Sequence, residues 1–179
     1  MASDYGLHFG FRRSDPLVRE GRFKTPVGGS ALLQGVACEI DPATPGYLKK
    51  SAANAAPLSG LSGVLVQEEI HIRSIYEAPL VDSFDLAYTR LDKLSVITSG
   101  QGAKIWLHNL ATSTRADGRV IAAITILDVT SVAVGDGLGW DGSKWVKSDG
   151  STTPHWMRVT AVSGTAATAT AYAEAVLQF

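Results

Sequence analysis

The sequence predicts a mainly β protein, a small β-barrel or β-sandwich with an extended N-terminal arm. Three observations carry this. Short apolar runs are closed by Gly/Pro/Asp turns, as at Asp41-Pro42-Ala43-Thr44-Pro45-Gly46 and Asp141-Gly142. The chain ends in strict alternation, with Ala169, Ala171, Ala173, Ala175, Leu177 and Phe179 against Thr170, Tyr172, Glu174, Val176 and Gln178. Between them, Val120 to Leu127 is a near-continuous apolar run of the kind found in strands buried on both faces.

Residues 1–30 form the arm, and residues 31–179 the barrel or sandwich domain. Gly6, Gly10, Pro16, Gly21, Pro26, Gly28 and Gly29 interrupt the arm too often for a helix. Tyr5, Leu7, Phe9, Phe11, Leu17, Val18 and Phe23 make it too apolar for a free tail. The alternation Leu7, Phe9, Phe11 suits a strand laid on a surface, either this chain's own core or a neighbour's.

Leu32–Ile40 reads as a strand, and Tyr47–Lys49 as its return after the Pro-Gly turn. The bridge Ala52–Ser59 has side chains mostly too short to build a core. Gly60–Gly63 turns the chain, and a strand pattern resumes at Val64 and runs to Arg73. Pro79–Leu94 is open between a short helix (Leu80, Phe84, Tyr88 and Leu91 at helical spacing behind Ser83) and a strand or irregular excursion. Lys93–Ser99 and Ala103–His108 are strands, the second with Ile105 and Leu107 on one face and Lys104, Trp106 and His108 on the other. Ala111–Gly118 is polar and loop-like. Gly135–Gly150 is a second turn-rich unit around Asp141-Gly142, and Met157–Val162 alternates again. The expected core is Val64, Val66, Ile105, Leu107, Ile121, Ile124 and Ile126.

Composition limits the chemistry. A hydrophobic fraction of 45% with 18% charged residues describes a folded chain, and a net charge of −1 gives no general pull toward nucleic acid or anionic membrane. The arm, from Met1 to Lys24, is locally basic, with five positive residues against three negative. Cys38 is the single cysteine, so no internal disulfide forms, and its expected role is that of a small buried hydrophobe. Met1–Arg13 lacks a signal-peptide pattern, and Val120–Leu127 is far short of a membrane span. The chain is expected to be made and folded in a cytoplasm.

His8, His71, His108 and His155 stand too far apart for a metal pair, and no Gly-x-Ser-x-Gly elbow or phosphate loop is present. Asp136, Asp141 and Asp149 miss the spacing of an EF-hand loop. No catalytic residue, metal or cofactor is expected. The candidate binding residues are Tyr5, Phe9, Phe11, Arg12, Arg13, Arg19, Arg22 and Phe23, where aromatics and arginines are suited to docking on a protein surface.

Gly35, Cys38 and Asp41 are echoed by Gly135, Leu138 and Asp141, followed by Tyr47-Leu48-Lys49 and Trp145-Val146-Lys147. The echo fits either a duplication or two ordinary hairpins. Gly35–Asp41, Gly46–Lys49, Ala55–Gly60 and Gly63–Val66 together resemble the head decoration (capsid cement) proteins of tailed bacteriophages. The resemblance implies a small β module in which a strand, a hairpin, an alanine-rich link and a Gly-bounded strand follow in order. The Val134–Lys147 unit would be a second hairpin and the terminal strand would close the barrel.

The function implied is a structural virion protein on the outer surface of an icosahedral phage head, cementing major capsid subunits and self-associating there as a dimer or trimer. Nucleic acid and membrane are not expected partners. Another virion subunit, a tail-tube or head–tail connector protein, is the alternative, and a β-fold hydrolase acting on the host wall a third. The arm is expected to be the main capsid-binding element and to be separable from a folded barrel.

Overall fold

The computed structural model describes residues 7–10, 17–23, 35–44, 47–58, 61–66, 93–99, 104–114, 118, 120–121 and 123–179. Thirteen strands occur among them and no helix. They are β1 (Leu7–Gly10), β2 (Leu17–Phe23), β3 (Ala37–Ile40), β4 (Tyr47–Lys50), β5 (Ser62–Val66), β6 (Lys93–Ser99) and β7 (Lys104–His108). The remaining strands are β8 (Ser113–Thr114), β9 (Val120–Ile121), β10 (Gly137–Trp140), β11 (Trp145–Lys147), β12 (Met157–Ser163) and β13 (Tyr172–Leu177). The protein is mainly β.

Among the described residues the strands form two large sheets, of five and six strands. A five-stranded sheet runs β2-β4-β3-β5-β6, and β2 also pairs with β6. A six-stranded sheet runs β1-β7-β13-β12-β10-β11, and β8 and β9 pair only with each other. Segment 1–30 thus contributes one strand to each sheet. β1 lies antiparallel on β7, and β2 lies antiparallel on β6 with a short parallel contact to β4. Of the two surfaces open to the arm, its described strands occupy this chain's own.

The echo extends through whole strands. β4-β3-β5-β6 and β11-β10-β12-β13 have the same order and the same antiparallel pairings. Each unit opens on a glycine at positive φ, Gly35 at 85° and Gly135 at 94°. Gly35 N–H donates to Leu65 O while Leu65 N–H donates to Val36 O. Gly135 N–H and Val159 N–H repeat this with Val159 O and Asp136 O. This is a glycine bulge, in which two residues face one across the ladder. Asp41 and Asp141 end the two strands, and each carboxylate accepts the N–H two residues on, from Ala43 and Ser143. Ser51 N–H donates to Ala37 O, and Ser148 N–H to Gly137 O. These bonds align Leu48-Lys49-Lys50-Ser51 with Trp145-Val146-Lys147-Ser148, one residue away from the match read in sequence. Two ordinary hairpins would share a turn but not a bulge, a register and the third and fourth strands.

The parallel contact recurs as well. Phe23 pairs with Leu48 in one unit, and Leu127 with Trp145 in the other. In the first unit the strand that reaches this contact, β2, is continuous. In the second it is interrupted: β7 lies on β13, the chain leaves at Leu110, and it returns at Ile124. Leu110 and Ile124 exchange both backbone bonds, at 2.9 and 3.0 Å, and the β8–β9 hairpin stands on that neck.

Val120–Leu127 is therefore not one strand buried on both faces. Val120 is 63% exposed and Ala123 is exposed, whereas Ile126 and Leu127 are buried. The run serves β9, the neck and the contact to β11 in turn, so its residues meet different surroundings. Ala111–Gly118 likewise holds strand β8 rather than loop alone. Of the span Leu32–Ile40 read as one strand, β3 takes Ala37–Ile40 after the positive-φ turn at Gly35, and positions 32–34 lie outside the described residues. On β12 the predicted alternation slips at a bulge between Val159 and Ala161, so Val162 rather than Ala161 packs on the core.

The core holds Val64, Ile105, Leu107 and Ile126 as expected, and Ile124 packs against it only partly buried. Val66 has its backbone in β5 and Ile121 in β9. Positions 67–92, which include the rest of the Val64–Arg73 pattern and most of Pro79–Leu94, lie outside the described residues. Ala37 and Cys38, neighbours on β3, are both fully buried, as are Val64 and Leu65 on β5. Since successive side chains point to opposite faces, both faces of these strands are covered. The Cys38 thiol is raised far above its ordinary pKa, chiefly by burial, and packs as a hydrophobe.

Candidate interaction surfaces

The two units are joined through tryptophan. Trp140, Trp145 and Trp156 are fully buried and meet edge to face, with centroids 5.1 and 5.5 Å apart, and Phe179 continues the row at 5.4 Å. Their indole N–H groups all donate to backbone carbonyls of the first unit: Trp140 to Ser51, Trp145 to Gly35 and Trp156 to Ala55. Asn54 N–H in turn donates to Trp140 O, and Asn54 Oδ1 accepts from Thr153 Oγ1. The alanine-rich link is thus held through its backbone: the Ala55 carbonyl accepts from Trp156, Asn54 N–H donates to Trp140 O, and Ser51 O, just before the link, accepts from Trp140. Sequence reasoning dismissed the link as too small-sided for a core. The tryptophans that bind it are distant in sequence and gave no local signal.

Asp136, Asp141 and Asp149 serve as turn holders. Asp141 Oδ1 accepts the N–H groups of Ser143 and Lys144 and the Ser143 hydroxyl. Burial pushes its pKa up, but these donors outweigh it and the net shift is downward. Asp149 accepts from the N–H groups of Thr153 and Ser151, which lower its pKa. Asp136 is lowered by Lys147, 2.8 Å away, and by the N–H of Ala133. Asp128, bonded to Thr130 and then to Lys144, is lowered to about 2. Among the described residues no group of three or more His, Cys, Asp or Glu could hold a metal ion. Nor is any helix there long and apolar enough to cross a membrane.

Among the described residues, two surfaces are places where a partner could sit. One is the outer face of the six-stranded sheet, where Lys104, Trp106 and His108 of β7 stand half-buried beside Tyr172 and Glu174 of β13. Glu174 is fully used there: Trp106 donates to one carboxylate oxygen, and Lys104 and Thr160 to the other. Burial pushes the Glu174 pKa up, and these donors overcome it. The residue they latch, Thr160, is the extra one at the β12 bulge. The face is therefore braced rather than poised for chemistry. The second surface is the β8–β9 hairpin with its neck, where Ala111, Thr112, Thr114, Gly118, Val120, Ala123 and Thr125 are all exposed.

The sequence-predicted binding residues divide. Phe9 lies on β1, and Arg19, Arg22 and Phe23 on β2, with backbones paired inside the chain. Tyr5, Phe11, Arg12 and Arg13 lie outside the described residues. The strands of the arm belong to two different sheets, so the described candidates are not gathered on one strand.

Comparison with protein-family models, with curated proteins and with solved structures finds no match for this chain.

Proposed function

We propose that the chain is a structural virion protein that binds the outer surface of an icosahedral phage head and cements major capsid subunits. The observation that carries this reading is that the strand–hairpin–link–strand unit occurs twice, once on the residues that resemble head decoration proteins. The finer architecture in this reading is a small β-barrel or β-sandwich module of the kind those proteins carry. Two such units braced by one row of tryptophans make a stiff body, and a cement protein needs stiffness to hold neighbouring subunits at a fixed spacing.

The turn-holding aspartates and the saturated Glu174 favour a binding role over an enzymatic one, since these groups are spent on the fold. Self-association as a dimer or trimer on the head belongs to the same proposal. The arm residues Tyr5, Phe9, Phe11, Arg12, Arg13, Arg19, Arg22 and Phe23 belong to the same proposal, and those on β2 would contribute through side chains, because its backbone is paired with β6 and β4.

The test is a protein inventory of purified particles, separated into tail-less heads and tails. Many copies on tail-less heads support the proposal. Copies confined to the neck or tail fraction would replace it with a connector or tail-tube role, and absence from particles would end it.

A further inference from the structure

We infer that the β8–β9 hairpin is the element that docks this protein on its partner, and that the partner surface is an apolar patch edged with carboxylates. The inference rests on the capsid-binding reading and deepens it by naming the contact.

The duplication supplies the argument. Equivalent positions in the two units show which parts the fold requires, because the first unit manages without whatever the second has added. Arg19 on β2 and Ile105 on β7 occupy equivalent places, each against the strand that follows in its unit (Arg19 opposite Val96, Ile105 opposite Ala175). Phe23 and Leu127 are likewise equivalent, at the parallel contact. From Arg19 to Phe23 the chain is one continuous strand, whereas Ile105 to Leu127 contains the neck and the hairpin. The hairpin is therefore an insertion that the unit does not need.

Its own physics indicates a missing contact. A two-stranded hairpin is at best marginally stable in water. Among the described residues this one pairs Ser113 with Ile121 and Thr114 with Val120. Val120 is a β-branched strand residue 63% exposed, next to exposed Thr114, Gly118 and Ala123. The segment also carries Arg115 and Arg119 against Asp117, a positive excess in a chain of net charge −1. An exposed valine in a segment whose sequence carries two arginines suits an apolar patch with acidic edges.

The neck allows a clean excision. Leu110 and Ile124 already exchange both backbone bonds, which is the pair that closes a two-residue hairpin. Replacing residues 111–123 with Asn-Gly should leave Leu110 and Ile124 joined by a tight turn. The probe is co-sedimentation with heads purified from the encoding phage lacking this protein, using the full chain, the excised chain and Val120→Asp. We expect the full chain to bind, the excised chain to unfold at nearly the same temperature but not to bind, and Val120→Asp to bind at least tenfold more weakly. Binding of the full chain should also weaken as salt is raised.

Undiminished binding by the folded excised chain would overturn the inference and leave the capsid-binding reading intact. Should the excised chain not fold, Val120→Asp decides, and wild-type binding by that variant overturns the inference. Failure of the full chain to bind heads removes the capsid-binding reading itself.

Discussion

Trp145 Nε1 donates to the carbonyl of Gly35 at 2.7 Å, joining the core of the second β unit to the glycine bulge that opens the first. Both ends are fixed by the fold. Trp145 N–H donates to Ile126 O, and Gly35 N–H to Leu65 O. Replacing Trp145 with Phe removes the donor, leaves a buried carbonyl unsatisfied and opens a space beside Trp140 and Trp156. An unsatisfied buried acceptor costs roughly 1–3 kcal/mol, and the lost volume adds to it. Trp145→Phe should lower the unfolding free energy by about 2–4 kcal/mol in a denaturant titration. Wild-type stability would show that the bond does not couple the units.

Equivalent glycines allow strain to be separated from crowding. A Cβ at Gly135 meets nothing within 4 Å, whereas one at Gly35 lies 2.8 Å from Ile126 Cδ1. Both residues have positive φ, which costs alanine on the order of 1–2 kcal/mol. Gly135→Ala should lose about that much, and Gly35→Ala measurably more, because Ile126 must move within a packed core. Equal losses in thermal unfolding would rule out the crowding at Gly35.

What could be read from sequence divides along physical lines. Alternation on β7 placed Ile105 and Leu107 in the core, and on β13 it set Ala173, Ala175 and Leu177 on one face, which the structure shows buried, because each strand keeps one face on the core along its length. The same rule failed on Val120–Leu127, where a continuous apolar run changes partner every few residues. The duplication was legible only as three matched positions and one aromatic-aliphatic-Lys step, the latter one residue out of register. Strand order, bulge and register are backbone properties, and they tolerate Cys38 becoming Leu138 and Ile40 becoming Trp140. Gly139 shows why the sequences diverge: it stands where the first unit has Glu39, because the Pro154 carbonyl lies 2.5 Å from where a Cβ would be. The hairpin was invisible because its polar residues look like any loop until the uninterrupted β2 is set beside it.

Removing residues 1–24 should abolish cooperative folding rather than leave a separable barrel. β2 pairs with β6 from Leu17 to Arg22 and touches β4 at Arg22 and Phe23, so its loss bares one edge of each. Removing only residues 1–11 takes away β1, which pairs with β7 alone. That shorter truncation should remain soluble and fold cooperatively. Circular dichroism and thermal unfolding of the two truncations distinguish these outcomes, and a soluble, cooperative protein lacking residues 1–24 would show that β2 is dispensable.

Asn109 is a buried side chain with every group engaged. Its amide donates to Leu127 O and Thr168 O, both at 2.8 Å, and its oxygen accepts from the N–H groups of Ile126 and Leu127. It therefore clamps the returning end of the hairpin excursion to the loop before β13. Asn109→Ala strands several buried backbone groups at once, so about 3 kcal/mol or more should be lost in denaturant unfolding. Asn109→Asp keeps the acceptor but loses both donors and buries a charge, and it should be no better above neutral pH. A loss below about 1 kcal/mol for Asn109→Ala would mean that water replaces the side chain.

Acid should weaken the second unit through its turns. Asp128, Asp136, Asp141, Asp149 and Glu174 all have pKa values below their ordinary range, Asp128 at about 2 against 3.8. A carboxylate with a depressed folded-state pKa binds its proton more readily when the chain is unfolded. Its stabilisation is present above the unfolded value, near 4, and is lost as pH falls through the folded value. The unfolding temperature should therefore hold steady from neutral pH to about pH 5 and then fall progressively toward pH 2. Asp128→Asn should flatten part of that decline by removing the most strongly shifted aspartate, while lowering stability at neutral pH, where Lys144 and Thr130 would lose their charged partner. A decline of unchanged steepness in Asp128→Asn would assign the acid sensitivity to other carboxylates.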